Sequence, residues 1–183
     1  MKKIMLIVLA ILLLSFSIAS AQETDVEEKT LNFDTIGELI SWETTAEEIY
    51  ELLSEYDVEV EVEQDDEYGK TISASKETED EIFMYVFYFD DETEALWEVE
   101  CVTAVYDGEL LVPAFQGLYE SYGFAESEPY ENEKLAEYAA DFDESYIVAG
   151  DSTIALLGAK AETEEAYGQI ALVLINREYF EAL

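Results

Sequence analysis

Residues 82–106 read IFMYVFYFDDETEALWEVECVTAVY, and this stretch decides the fold of the chain. Its first arm, residues 82–89, is apolar or aromatic throughout, which is typical of a central strand covered on both faces or of a strand with one aromatic face left for a partner. After an acidic turn, the second arm alternates, with Trp97, Val99, Cys101, Thr103 and Val105 on one side and Glu98 and Glu100 on the other. This period of two predicts a strand with one dry face, and the two arms together predict a β-hairpin.

The first 21 residues have the pattern of a secretory signal peptide. Lys2 and Lys3 give a positive start, residues 4–18 are apolar apart from two serines, and Ala19-Ser20-Ala21 is a small-x-small cleavage site. We expect cleavage after Ala21 and a secreted mature chain. The alternative, an uncleaved anchor, is disfavoured because the cleavage site is so well formed, and the apolar run is also short for a membrane span. No cysteine follows the cleavage site, so the chain is not expected to be a lipoprotein, and residues 22–30 are predicted to form a flexible acidic leader.

The charge of the expected mature chain is extreme. Six basic residues remain against 45 acidic ones, a net charge of −39. Such a surface repels nucleic acid and anionic membranes, so we expect neither as a partner, whereas cations or a basic protein would be attracted. Half of all residues are hydrophobic and 13% are aromatic, which is enough for a core. The simplest interpretation of the excess acid is a solvated coat.

The composition also limits the chemistry. The chain has no histidine and one cysteine, which excludes imidazole metal sites, histidine-dependent triads and an intramolecular disulfide. Cys101 lies on the apolar side of its predicted strand, so we expect a buried small hydrophobe rather than a nucleophile. No phosphate-binding loop or dinucleotide fingerprint is present. We therefore expect no cofactor, no catalytic residue and no metal ligand, with paired carboxylates as the one route to an extracellular glycan hydrolase.

Two acidic turns raise the alternative of weak calcium binding. Asp65-Asp66-Glu67 and Asp90-Asp91-Glu92 each place several carboxylates on a tight turn, and hard cations prefer such oxygen ligands. Neither turn matches a twelve-residue EF-hand loop. Solvated turn acids are the simpler interpretation, and a calcium-binding surface protein is the alternative.

The rest of the chain predicts two similar halves. Thr45 and Glu48 fit a capping box, which predicts a helix beginning at Ala46. Strand patterns lie at residues 58–63, 70–76, 146–149, 153–157 and 170–175, and helical patterns lie at residues 110–122 and 132–142. The sequence therefore predicts an α+β fold of two consecutive helix-plus-antiparallel-sheet units, with helices packed on one sheet face. Residues 31–108 form the first unit, with four strands, and residues 109–183 form the second, with three.

A family resemblance supports this interpretation. Residues 41–49, SWETTAEEI, resemble the W-x-x-S/T-x-E-E-V helix start of exported bacterial proteins that are similar to BamE and to tandem β-lactamase-inhibitor-protein folds. Further matches are the aromatic strand at residues 84–89, the helix end LYESYG at residues 118–123 and the strand STIAL at residues 152–156. The resemblance implies an architecture used for protein binding, with no catalytic residue to carry over.

The candidate binding surface is the aromatic face of the hairpin. Its residues are Phe83, Tyr85, Phe87, Phe89 and Trp97. If the helices cover that face, the outward residues of the first arm are instead Ile82, Met84, Val86 and Tyr88. Aromatic side chains with an acidic rim suit a basic or aromatic-rich partner. The alternative is that the rest of the chain buries this face as core. The sequence thus predicts a secreted, acidic, non-catalytic module that binds an extracellular protein partner of basic character.

Overall fold

A single seven-stranded antiparallel sheet organises the part of the chain that the computed structural model describes, which comprises residues 41–65, 69–77, 81–105, 108–161 and 168–182. The strands are β1 (Glu59–Asp65), β2 (Gly69–Glu77), β3 (Glu81–Phe89), β4 (Leu96–Val105), β5 (Glu144–Ala149), β6 (Thr153–Ala161) and β7 (Gly168–Asn176), in the spatial order β1-β2-β3-β4-β7-β6-β5. The helices are α1 (Ala46–Leu53), α2 (Gly108–Ser121), α3 (Glu133–Ala139) and α4 (Arg177–Ala182). The predicted signal peptide and leader lie outside these residues.

The prediction of two separate helix-plus-sheet units is wrong, because the two halves share one sheet. β4 pairs with β7 from Glu98 opposite Ile175 to Val105 opposite Gly168. Separate sheets would leave both β4 and β7 as long apolar edges, which invite aggregation. Pairing these two strands removes both edges and places them near the middle of the sheet.

The central hairpin is confirmed. β3 and β4 pair antiparallel, and β3 is buried on both faces. We call the face that carries Tyr85, Phe87 and Cys101 the front face, and the face that carries Val86 and Glu100 the back face. Cys101 is buried, as predicted, and burial raises the pKa of its thiol. It is therefore a core residue.

Helices cover both faces of the sheet, which corrects the prediction that they pack on one. α1 and α2 lie on the front face, where Ile49 and Leu118 share a core with Phe87. α3 lies on the back face, where Leu135 and Ala139 pack against β6 and β7. The continuous apolar run of β7 follows from this arrangement, because its side chains alternate between two cores.

The start of α1 ties the two halves of the chain together. The Glu48 backbone N–H donates to Thr45 Oγ1 at 3.3 Å, and Thr45 N–H donates to Glu48 Oε2 at 2.9 Å, which confirms the capping box. Just before the helix, Trp42 Nε1 donates to Thr153 Oγ1 of β6 at 3.0 Å. The helix of the first half is thereby anchored to a strand of the second.

A β-bulge at the end of the central hairpin moves Trp97 off the front face. The register shifts between Tyr88 and Phe89, so that Phe89 lies opposite Leu96. Leu96 is fully buried in the front core, while the Trp97 ring contacts Tyr88, which lies on the back face. The predicted alternation therefore holds for Val99, Cys101 and Thr103 but is wrong for Trp97, because the extra residue of a bulge shifts the alternation by one position.

Gly158 on β6 provides a test of packing on the back face. The Phe142 ring lies directly on this glycine, so a Cβ atom at position 158 would overlap the ring. We expect Gly158→Ala to lower the free energy of unfolding by about 1–3 kcal/mol in urea denaturation. The matched control is Gly117→Ala in α2, because a Cβ atom there meets no atom within 4 Å. This variant should raise the free energy of unfolding by about 0.5–1 kcal/mol. Equal shifts for the two variants would contradict the close packing of Phe142.

Candidate functional site

The aromatic residues singled out from the sequence lie mainly in the front core. Tyr85, Phe87 and Phe89 are at most 2% exposed, and Phe83 packs against the same core. α1 and α2 cover them, so these four residues come together as interior packing. Trp97 lies apart from them on the back side. Tyr85, Phe87 and Phe89 therefore follow the alternative interpretation, in which the rest of the chain buries this face as core.

A cluster of two carboxyl groups and two tyrosines lies on the back face, and we call Tyr88, Glu98, Glu100 and Tyr138 the acid–tyrosine cluster. Glu100 is 6% exposed, and its two oxygens accept hydrogen bonds from the Tyr88 hydroxyl at 3.0 Å and the Tyr138 hydroxyl at 2.5 Å. Glu98 lies two residues earlier on the same strand face. The sequence placed both acids on the polar side of β4, but α3 brings Tyr138 over that side and encloses them.

Enclosure changes the acidity of this cluster. Burial raises the pKa of Glu98, and the neighbouring Glu100 raises it further. Burial also raises the pKa of Glu100, which the hydrogen bonds from Tyr138 and Tyr88 partly oppose. Burial and the charge of Glu100 raise the pKa of Tyr138. The carboxyl groups of Glu98 and Glu100 therefore keep their protons at a pH where exposed carboxyl groups release them.

Raised pKa values alone do not make the carboxyl pair a hydrolytic site. Glycan hydrolysis needs two acids that both reach the scissile bond. Glu100 is almost inaccessible, and both its oxygens are occupied by tyrosine hydroxyls. The geometry therefore favours a structural proton site over the glycan-hydrolase alternative.

The turn of the central hairpin uses its acids internally. Asp90 Oδ1 accepts hydrogen bonds from the Thr93 backbone and side chain, and Asp90 Oδ2 accepts one from the Tyr179 hydroxyl at 2.6 Å. The bond from Tyr179, with those from Thr93, lowers the pKa of Asp90 to about 2. Asp91 Oδ1 accepts from Gln64 Nε2 at 2.7 Å. These carboxylates stabilise the turn by hydrogen bonds within the chain.

The other proposed calcium turn falls largely outside the described residues, which leave out Asp66 and Glu67. Across the residues that the structure does describe, no group of three or more His, Cys, Asp or Glu side chains is placed to hold a metal ion.

An open cleft of about 710 Å³ wraps around the outer edge of β5, and we call it the edge cleft. Its front wall includes Tyr119 and Phe124, at and after the end of α2. Its back wall is formed by α3 and the residues that follow, with Ala136, Ala140 and Phe142 among the lining side chains. Residues 145–148 of β5 line the middle, so the strand edge lies between two walls of different character.

The front half of the edge cleft is aromatic and the back half is lined by small residues. Tyr119 and Tyr146 meet edge to face at 4.6 Å between ring centroids, and Phe124 stacks on Tyr119 at 6.0 Å. The Tyr146 hydroxyl donates to Glu144 Oε1 at 2.9 Å, which raises the pKa of Tyr146. Tyr146 is 37% exposed, so its ring is accessible to a ligand. The alanines of the back wall leave room beside β5 that larger side chains would fill.

Exposed acidic residues border the edge cleft. The exposed acidic residues that are direct sequence neighbours of its lining residues are Glu120, Glu126, Glu128, Glu131, Glu137, Asp141, Asp143 and Glu144. Of the described cations near the cleft, Arg177 lies over the Tyr130 ring and is paired with Glu181 at 2.8 Å, and Lys134 of α3 lies over the Phe180 ring. The cleft therefore presents aromatic rings inside a negative border.

Sequence reasoning missed this cleft, since three separate segments form it. The sequence pattern places Tyr119 in the predicted helix at residues 110–122 and Tyr146 in the predicted strand at residues 146–149, with no signal that the two side chains meet. The one local signal was the short edge strand SYIV at residues 145–148, which carries no charge to protect it.

Within the described ranges, no helix is both long and apolar enough to cross a membrane. The resemblance to BamE-like proteins stays a prediction. The chain matches no protein-family model, no curated protein and no solved structure.

Proposed function

We propose that this protein is a secreted, non-catalytic interaction module that binds a basic extracellular protein through the edge cleft. The single observation that carries the proposal is the cleft itself. Its volume of about 710 Å³ lies in the range of ligand-binding sites, and exposed tyrosine is enriched at protein interfaces. Its acidic border selects for positive charge.

The charge of the whole chain supports the same partner. A net charge of −39 for the expected mature chain attracts basic proteins over several ångströms and repels acidic ones. The signal-peptide pattern supports an extracellular setting.

Site-specific photocrosslinking tests the proposal. A photoreactive amino acid placed at Ala140, which is exposed and lines the cleft, should capture a basic protein from the native medium. The control position is Glu61, which is exposed on the opposite edge strand, β1, and should capture none. Adding Tyr146→Ala to the Ala140 probe should reduce capture about tenfold or more, as expected for a central aromatic contact.

Two results would contradict this function. Equal capture from both positions would show non-specific adhesion to an acidic surface. Undiminished capture after Tyr146→Ala would place the contact outside the edge cleft.

A further inference from the structure

We propose that the partner enters the edge cleft as an extended segment and pairs with β5 as an additional strand, with basic and apolar side chains in alternation. This inference rests on the proposed function, since it names how the same site is used. Strand addition to a free sheet edge is a recurring mode of peptide recognition.

The hydrogen-bond phase of β5 shows which backbone groups are directed outward. The Gly150 N–H donates to the Thr153 carbonyl at 2.8 Å at the turn between β5 and β6. Alternate residues of an antiparallel strand bond to the same neighbour, so Val148 and Tyr146 bond to β6. Ser145 and Ile147 therefore direct their N–H and C=O groups to the outer edge.

The chain itself uses only part of that edge. Pro129 forms an isolated antiparallel bridge with Val148, and the Tyr130 N–H donates to the Ile147 carbonyl at 2.8 Å. The chain then turns away into α3. No other described residue continues this pairing towards Ser145. The edge of β5 around Ser145 is therefore available to another strand.

The two outer edges of the sheet differ in their protection. On β1, Glu59, Glu61 and Glu63 alternate along the strand, which is a common defence of an exposed edge. On β5, residues 145–148 carry no charge. β5 is therefore the edge that accepts another strand, and its flanking walls restrict which strand fits.

The two walls select the side chains of that strand. Successive residues of an added strand point alternately to the front and the back of the sheet. The front half offers the rings of Tyr119 and Tyr146 beside Glu144, which suits a lysine or arginine through cation–π and charge attraction. The back half offers alanines and Phe142, which suits valine or leucine.

Charge argues against the other occupants of the edge. Residues 22–40 of this chain hold six acidic residues and one lysine, and a second copy brings the full negative charge of the protein. Like charges would repel either of them from the acidic border. A basic segment of a different protein is the occupant that complements the site.

The test uses the mature chain and the peptide acetyl-Lys-Val-Lys-Val-Lys-Val-Lys-amide. Saturating peptide should slow hydrogen exchange of the Ser145 and Ile147 amides by about tenfold or more. An analogue N-methylated at the backbone nitrogens that face β5 should bind about tenfold more weakly, because the hydrogen bond to the Ser145 carbonyl is lost and the methyl groups clash with the strand edge. The matched control, N-methylated at the other alternate nitrogens, should bind like the parent peptide.

Protein variants give an independent readout. Ser145→Pro removes an outward N–H without removing a bond to β6, and proline is tolerated on edge strands in that orientation. It should weaken binding of the parent peptide while the melting temperature of the free protein stays unchanged. If this variant fails to fold, the comparison of the two N-methylated peptides on the unmodified protein still tests strand addition.

Four outcomes would overturn strand addition. Equal binding of the two N-methylated analogues would do so while leaving the proposed function intact, because the Ala140 crosslink tests that separately. Absence of any binding by the parent peptide would also count against it. Slow exchange at Ser145 and Ile147 before peptide is added would show that this chain covers its own edge, and slow exchange only at high protein concentration would indicate a second copy.

Discussion

Phe87→Ala is expected to lower the free energy of unfolding by about 3–5 kcal/mol, the largest effect of any single substitution considered. Phe87 is 2% exposed and lies in β3 between Ile72 of β2 and Val99 of β4, beneath the front-face helices. Truncation removes buried apolar surface and leaves a cavity that the hydrogen-bonded sheet cannot close. Urea denaturation followed by circular dichroism measures the change.

An exposed aromatic residue provides the comparison. Tyr146 is 37% exposed, so Tyr146→Ala should cost about 1 kcal/mol or less in stability while it weakens capture through the edge cleft. Phe87→Ala should have the opposite pair of effects. It should lower stability strongly, while the molecules that remain folded should bind the partner normally. A similar loss of stability in both variants would mean that the aromatic face of β3 is not the centre of the core.

Local patterns predicted the elements of this fold better than their arrangement. The apolar run of β3 and the alternation in β4 define a hairpin within 25 residues, and the capping box of Thr45 and Glu48 is complete within four. The pairing of β4 with β7 joins residues about 70 positions apart, as in Cys101 opposite Leu172. The apolar run of β7 indicates burial on both faces but does not specify which strand lies beside it.

The two errors in β4 have separate physical causes. Strict alternation from Val99 predicts that Trp97 faces the front core. The bulge shifts the alternation, so Leu96 lies there instead. Glu98 and Glu100 were assigned to the correct side of the strand, yet that side is covered by α3 rather than open. Alternation predicts which side a residue faces, and only the tertiary fold determines whether that side is solvated.

The large number of acidic residues prevented the sequence from identifying Glu98 and Glu100, whose pKa values are raised. Among 45 acidic residues, sequence reasoning could not single out a pair. The fold distinguishes Glu98 and Glu100 by placing them beside Tyr88 and Tyr138 on a covered face. Their raised pKa values have a measurable consequence for stability.

Glu98→Gln is expected to raise the free energy of unfolding at pH 7 and to flatten its dependence on pH. Burial and Glu100 raise the pKa of Glu98 in the folded protein, whereas an unfolded glutamate ionises near pH 4.3. Above that pH the folded state binds more protons than the unfolded state, so stability falls as pH rises. Each such group removes about 1.4 kcal/mol per pH unit until its folded pKa is reached. Glutamine keeps the shape of the side chain and never ionises.

The choice of position and control makes this measurement specific. At Glu100 both oxygens accept hydrogen bonds from tyrosines, so Glu100→Gln would also disturb a bond and should gain less. Glu61→Gln removes the same unit of charge from the exposed edge strand β1 and should change the pH profile only slightly. Urea denaturation between about pH 2 and pH 8 compares the variants, which covers the folded pKa of Asp90 as well as the neutral range.

The acid side of the profile should remain unchanged in Glu98→Gln. The folded pKa of Asp90 is lowered to about 2 by Tyr179 and Thr93, so its contribution to stability is present above its unfolded pKa and is lost as pH falls towards 2. The shift of Asp90 therefore lowers stability towards strongly acidic pH, and the shifts of Glu98 and Glu100 lower it towards neutral pH. If Glu61→Gln flattens the profile as much as Glu98→Gln, the loss at neutral pH comes from repulsion across the whole acidic surface. A gain confined to Glu98→Gln assigns the loss to Glu98, which keeps its proton in the folded protein and releases it on unfolding.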